Sequence, residues 1–222
     1  MDLYKYFVGS YIASSVSCFC IEMIWPTVRT KQISRHEIVE NTKKIIPVVG
    51  QNMAVAIPYF LVFEKYLVNN THTQFEINGI LDFFLWWILF IFYAFYWLIL
   101  TDILFYSFHR AFHHPKLYWL HAKHHSYRYT HGVGAIYASV PDFVLTILVS
   151  GSVPIYILAI PYDYSKIIIV LSSFYTVLVS HSGFKYFESH LLHHLKYKVN
   201  YGLVFTDKLF STYNQKQIEN NK

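Results

Sequence analysis

Ten of the chain's thirteen histidines fall in two windows, six between His109 and His125 and four between His181 and His194. Their spacing matters more than their number. His109 and His113 are four apart, His121, His124 and His125 follow H-x-x-H-H, and His190, His193 and His194 repeat that pattern. On a helix, positions i, i+3 and i+4 share a face, so each box aims two or three imidazoles at a common locus. Imidazole suits iron, zinc, copper and nickel, and eight such side chains plus His181 exceed the capacity of one tetrahedral or octahedral ion. Two metals are the economical reading. His36, His72 and His131 lack the spacing and read as structural. His114 lies about 140° around a helix from His109 and is secondary.

These boxes must be held by membrane elements. Of 222 residues, 55% are hydrophobic, 20% aromatic and 14% charged, against roughly 25% charged in an average soluble domain. Tyr and Phe contribute 20 and 19 residues while Gly and Pro contribute 8 and 7, which excludes disordered and low-complexity classes. Cys18 and Cys20 sit in one apolar run, which excludes a disulfide framework and a Cys-rich zinc site. The net charge of +5 is scattered, without the dense basic stripe of a nucleic-acid binder, and anionic lipid headgroups are the more natural partner.

A spanning helix needs about 20 largely apolar residues. Phe83 to Thr101 is uncharged and bracketed by Asp82 and Asp102; Ile45 to Phe63 is also uncharged, with Pro47 and Pro58 tolerable inside a membrane helix. Tyr6 to Ile21 continues toward Val28 with only Glu22 interrupting, a cleaved signal peptide being the rival reading. Phe143 to Tyr162 and the shorter Ile167 to Ser180 read either as two further spans or as a shallow re-entrant hairpin. The expected fold is therefore all-α and polytopic: a single domain over 1–222, four to five transmembrane or re-entrant helices, and a small histidine-rich helical cap, the boxes lying in about 95–215. Arg29, Lys31, Arg35, Lys43 and Lys44 place the first loop in the cytosol, and alternation puts Arg110, Lys116, Lys123 and Arg128 there too. All boxes are then cytosolic and the N-terminus lumenal, with the sequon Asn69-Asn70-Thr71 on a lumenal loop. A site at that depth meets lipid on one side, so a lipid substrate follows.

Asp102 to His114 with its His-Arg-x-x-His-His box, Leu120 to His125, His181-Ser182-Gly183, and His190 to His194 followed by Asn200-Tyr201-Gly202 together resemble the fatty acid hydroxylase/sterol desaturase superfamily. The likeness covers about half the chain, looks closest to the sterol C4-methyl oxidase branch, and extends to the ending Thr206 to Thr212. Members are endoplasmic-reticulum oxygenases with a helical membrane base, a cytosolic cap and a histidine-held dimetal centre. The resemblance implies His109, His113, His121, His124, His125, His190, His193 and His194 as catalytic ligands, His181 as a ninth, and Asp102 as the carboxylate that orients an imidazole. Asn200 would support the site or make a turn. The chain departs from the pattern in three places. Only six residues separate His181-Ser-Gly from the last box, the His-Pro-x-Glu after the second box is reduced to Val140-Pro141-Asp142, and Thr206 and Ser211 replace the usual Trp and Gly.

Unactivated C–H bonds lie beyond acid–base groups, so the implied chemistry is O2-dependent hydroxylation or desaturation of a lipid alkyl carbon, sterol or fatty acyl, by two irons, with zinc as the alternative occupant. The chain carries no dinucleotide fingerprint, P-loop or haem-attachment motif, so a b-type cytochrome and its NAD(P)H reductase are the implied electron donors. Two rivals are a metal transporter, for which Phe83 to Thr101 offers no polar pathway, and a non-catalytic relative serving as lipid-binding or scaffold protein.

Overall fold

The computed structural model describes residues 3–68, 77–185 and 187–214, the side chains of Leu67 and Val68 excepted. The sequon Asn69-Asn70-Thr71 and His72 lie outside the described residues. Among the described residues the chain is helical, with a single isolated β-bridge, Arg29 to Phe184, and no sheet.

Among the described residues five helices are long and apolar enough to cross a membrane. They are α1 (Leu3–Ile24), α2 (Arg35–Val68), α3 (Ile80–Phe112), α5 (Val140–Ile157) and α6 (Tyr162–Ser180). Three short helices, α4 (Tyr118–His121), α7 (Ser189–Lys196) and α8 (Phe205–Leu209), lie at one end of the bundle. The helix α2 runs unbroken through Pro47 and Pro58. The helix α3 has 33 residues; at about 1.5 Å per residue it is about 50 Å long, about 20 Å more than the hydrocarbon core. Its uncharged run ends at Thr101, and the helix continues past Asp102 to carry His109 eight residues beyond that run. Leu81, Ile88 and Ile91 are each more than 60% exposed, which gives α3 the surface of a helix facing lipid.

Alternation of the helices is visible in their end contacts. At one end Glu64 of α2 accepts from Leu3 N of α1 and from Tyr162 Oη of α6, while Tyr164 Oη donates to Trp86 O of α3. At the other end Arg29 beyond α1 meets Ser182 beyond α6 and Thr130 beyond α3. The helix α6 therefore accompanies α1 from end to end, and with α5 it has the length and apolarity of a span. The helix begins five residues before the apolar run Ile167 to Ser180, and Asp163 and Lys166 pair with one another in its first turn. The hairpin before it turns at Ala159, which takes φ 48°, and Pro161 then caps the new helix. The helix α1, whose Leu3, Phe7, Tyr11 and Cys18 are buried, is a packed member of the core.

Two stretches, Phe143–Val149 in α5 and Tyr175–Ser180 in α6, are wound as π-helix. Such wide turns shift the register of everything that follows and cluster at functional sites. The second ends directly before His181.

Arg29 is not the exposed loop charge that its place in a basic segment suggests. It is 1% exposed, forms an ion pair with Glu22, and donates to Ser182 O at 2.9 Å and Thr130 O at 2.6 Å. Thr30 N to Gly183 O at 2.9 Å and Lys185 N to Val28 O at 3.0 Å complete the staple. Gly183 takes φ 69°, and a Cβ there would stand 3.1 Å from the Arg29 guanidinium, so both conformation and space call for glycine.

Candidate metal centre

The nine box histidines converge at the end of the bundle where Arg29 lies, and they divide into two sets. His109, His113, His121, His125 and His193 form the first; His124, His181, His190 and His194 form the second. Within each set one nitrogen per ring lies within 4.8 Å of all the others. The sequence expectation that each box serves one locus is corrected here. Both H-x-x-H-H boxes split, because adjacent residues on a helix point about 100° apart. His193 turns to the first set and His194 to the second. The second box is also not one helix: His121 ends α4 while His124 and His125 occupy a separate 3₁₀ turn.

The orientation of the rings is set by their outer nitrogens. A carbonyl can only accept, so His109 Nδ1 donates to Tyr201 O at 2.6 Å, His181 Nδ1 to Thr176 O at 2.9 Å and His193 Nδ1 to Val199 O at 2.7 Å. His121 Nδ1 lies 2.7 Å from Asp142 Oδ2. With Nδ1 carrying the proton, Nε2 of each ring presents a lone pair to the interior.

The interior nitrogens crowd one another. The Nε2 atoms of His113, His125 and His193 form a triangle with sides of 3.1 Å. His124 Nε2 lies 3.3 Å from His181 Nε2 and 3.2 Å from His194 Nε2. His109 Nε2, His121 Nε2 and His190 Nε2 are buried with no hydrogen-bond partner among the described residues. Three nitrogens this close cannot all satisfy one another, and orphaned buried nitrogens cost about 1–3 kcal/mol each, so the arrangement is unfavourable by itself. A cation inside each set removes both penalties. Ligands about 2.1 Å from one ion stand about 3.0 Å apart at a right angle and about 3.4 Å apart at the tetrahedral angle, which brackets the observed separations. The donor sets fit a metal pair.

Electrostatics agree. Burial holds His113 and His121 down to about pKa 3 and His181 to about 4. His124, His125, His190, His193 and His194 are lowered further by burial and then by neighbouring imidazoles. The rings are neutral at physiological pH, the state a metal requires.

Asp102 differs from expectation. Its oxygens accept from Leu203 N at 2.6 Å and Thr206 N at 2.8 Å rather than from an imidazole. Asp207 adds bonds from Tyr201 N at 2.9 Å and Gly202 N at 2.7 Å. The two carboxylates fix the 201–206 turn, and that turn presents the Tyr201 carbonyl to His109. A Cβ on Gly202 would stand 2.4 Å from Asp102 Oδ1, so glycine is what admits the carboxylate. Asn200 makes the turn: it takes φ 55° and its amide donates to Ser189 O and Asn214 O, each at 3.0 Å.

The carboxylate that does meet a box histidine is Asp142, brought to His121 by the first turn of α5. Ser139 caps that turn and donates to Leu120 O at 2.5 Å, tying α5 to α4. The remnant Val140-Pro141-Asp142 was the available sequence signal. The carbonyl partners carry none, since any residue supplies a carbonyl. Of the set-aside histidines, His36 and His114 are exposed and His131 pairs with Asn41 at 3.2 Å, consistent with structural roles.

A small cavity beside the histidines is lined by apolar Phe105, Ala135, Ile136, Ala138 and Ile147 together with Asp142 and Thr146. Histidines of both sets open onto it. A family profile described as fatty acid hydroxylase matches residues 93–212, more than half of the chain and all nine histidines. Searches among curated proteins and among solved structures return no match.

Proposed function

The chain belongs to the fatty acid hydroxylase family, and from that premise we propose that it is a membrane-bound non-haem di-iron oxygenase hydroxylating or desaturating an alkyl carbon of a lipid. Membership supports an oxidoreductase acting on lipid, and five apolar helices support a multi-pass membrane protein. The finer reading rests on one observation above the others, the two sets of neutral imidazoles whose Nε2 atoms converge without other partners. Two irons held there would supply dioxygen activation with electrons from outside the chain.

The protein's own part is positioning and exclusion of water. Asp142 and the carbonyls of Tyr201, Thr176 and Val199 fix ring orientation. Phe105, Ala135, Ile136 and Ala138 would give a carbon brought to this edge of the centre largely apolar surroundings. A sterol methyl or a fatty acyl methylene both meet that description. The His-Arg-x-x-His-His box favours the sterol side, while the matched family takes in both. A b-type cytochrome with its NAD(P)H reductase would dock on the basic rim of Lys123, Arg128, Lys196 and Lys198. The boxes would face the cytosol from the endoplasmic reticulum or an equivalent membrane.

Metal analysis tests this reading. Protein purified without oxygen is expected to hold about two irons per chain. His125→Ala and His124→Ala should each lower the count, acting on different sets, while exposed His36→Ala leaves it intact. Reconstitution with a b-type cytochrome, its reductase, NADH and O2 should then yield a lipid that has gained oxygen or lost two hydrogens, absent with His124→Ala. Failure to bind stoichiometric metal would make the chain a non-catalytic relative.

A further inference from the structure

The helix α8 has no part in ligating metal, yet its outer surface is unusual for a segment beyond the spans. Phe205, Leu209 and Phe210 are 53%, 64% and 54% exposed, and Val204 beside them is exposed too. Phe210 rests one face on Tyr106 of α3, ring centroids 5.3 Å apart, and offers the other outward. Spacing of four residues puts Phe205 and Leu209 on one side of the helix.

Two observations identify what covers this face. The first is depth. Thr206 N is bonded to Asp102 Oδ2, and Asp102 is the first residue beyond the apolar run of α3 that ends at Thr101. The helix α8 therefore starts at the level where the hydrocarbon ends, the level at which α3 exposes Leu98 and Ile103, one turn before and one residue after Thr101–Asp102. The second is charge. Lys196, Lys198 and Lys208 are exposed, whereas Asp207, the one carboxylate in 196–213, is buried. Apolar side chains ringed only by cations suit the boundary between acyl chains and anionic headgroups.

We propose that α8 is an interfacial anchor whose Phe205, Leu209 and Phe210 sit in the headgroup–acyl boundary of the bilayer that the spans cross. The partner is lipid, not protein. The inference stands independently of the reaction proposed above. It also gives Asp102 a second consequence, because the carboxylate that seats α8 at the bilayer also fixes the turn presenting the Tyr201 carbonyl to His109.

Nitroxide accessibility in nanodiscs of phosphatidylcholine and phosphatidylserine tests the proposal. Labels are placed by Leu209→Cys and Phe205→Cys in a Cys20→Ser chain, Cys18 being buried. Leu98→Cys reports lipid and Lys123→Cys reports water. Collision with dissolved O2 should exceed collision with a water-soluble nickel chelate at 209 and 205, as at 98. Nickel-dominated collision at both sites, as at 123, would overturn the anchor. Protection from both quenchers would also overturn it, since a protein surface or a second copy would then be the cover. Iron content measured on the same samples separates a failed anchor from a failed metal centre.

Discussion

Asp142 takes the Nδ1 side of His121 from the first turn of α5, leaving Nε2 for the interior. Replacing it by Asn removes the charge that makes the ring a better donor, so Asp142→Asn should weaken metal binding in the first set by about 10–100-fold. Competition with a chelator at fixed pH measures this; unchanged affinity would reduce Asp142 to a packing residue. Arg29 offers a contrasting case. With Arg29→Met alone, Glu22 is left buried without its cation, a loss of about 3–5 kcal/mol. Adding Glu22→Leu should restore most of the thermal midpoint, yet not the metal of the second set, because Ser182 O and Thr130 O still lack the donor that holds the segment following His181. Equal recovery of both would show that the pair serves stability alone. Residue identities at the centre were legible because H-x-x-H-H recurs. Their partition between two sets was not, since it depends on where α4 ends and on the π turn before His181.

Short elements carry the centre, and their stability should depend on acidity. His181 is held to about 4 and His113 and His121 to about 3 by burial, whereas in the unfolded chain histidine titrates near 6.5. Below about pH 6.5 the unfolded chain binds protons that the folded one refuses, so stability is full above that value and declines as pH falls toward 4 and 3. Melting of metal-stripped protein should therefore drop between pH 7.5 and 5. A flat profile would mean that the rings take up protons while folded. At this scale the sequence was least informative. The helix α4 has four residues and the 3₁₀ turn three, too short for a periodic pattern to register. Asp102 looked like an imidazole partner by position, but backbone N–H groups of the 203–206 segment, which have no sequence signature, reach it first.

Across the whole molecule, apolar runs located the five long helices, while their ends ran past the uncharged cores, most in α2 and α3, and in α6 the helix begins before the Asp163–Lys166 pair. Contacts at both ends of the bundle imply that the 35–44 segment and the histidine layer share one side. Cysteines introduced by Lys43→Cys and Lys123→Cys in a Cys20→Ser chain should react with an impermeant reagent from the same compartment, and Asn78→Cys only from the other. Labelling of Lys43→Cys and Lys123→Cys from opposite sides would break this topology. The division of each H-x-x-H-H box between two sets has a final consequence. Neither site is a module: α7 and the 123–126 turn each belong to both, so no segment can be removed or slid by one residue without touching the pair. Filling one set immobilises backbone that the other also needs, and the entropy of ordering it is then spent a single time. Loading should accordingly be cooperative, with half-filled protein scarce at every stage of a titration.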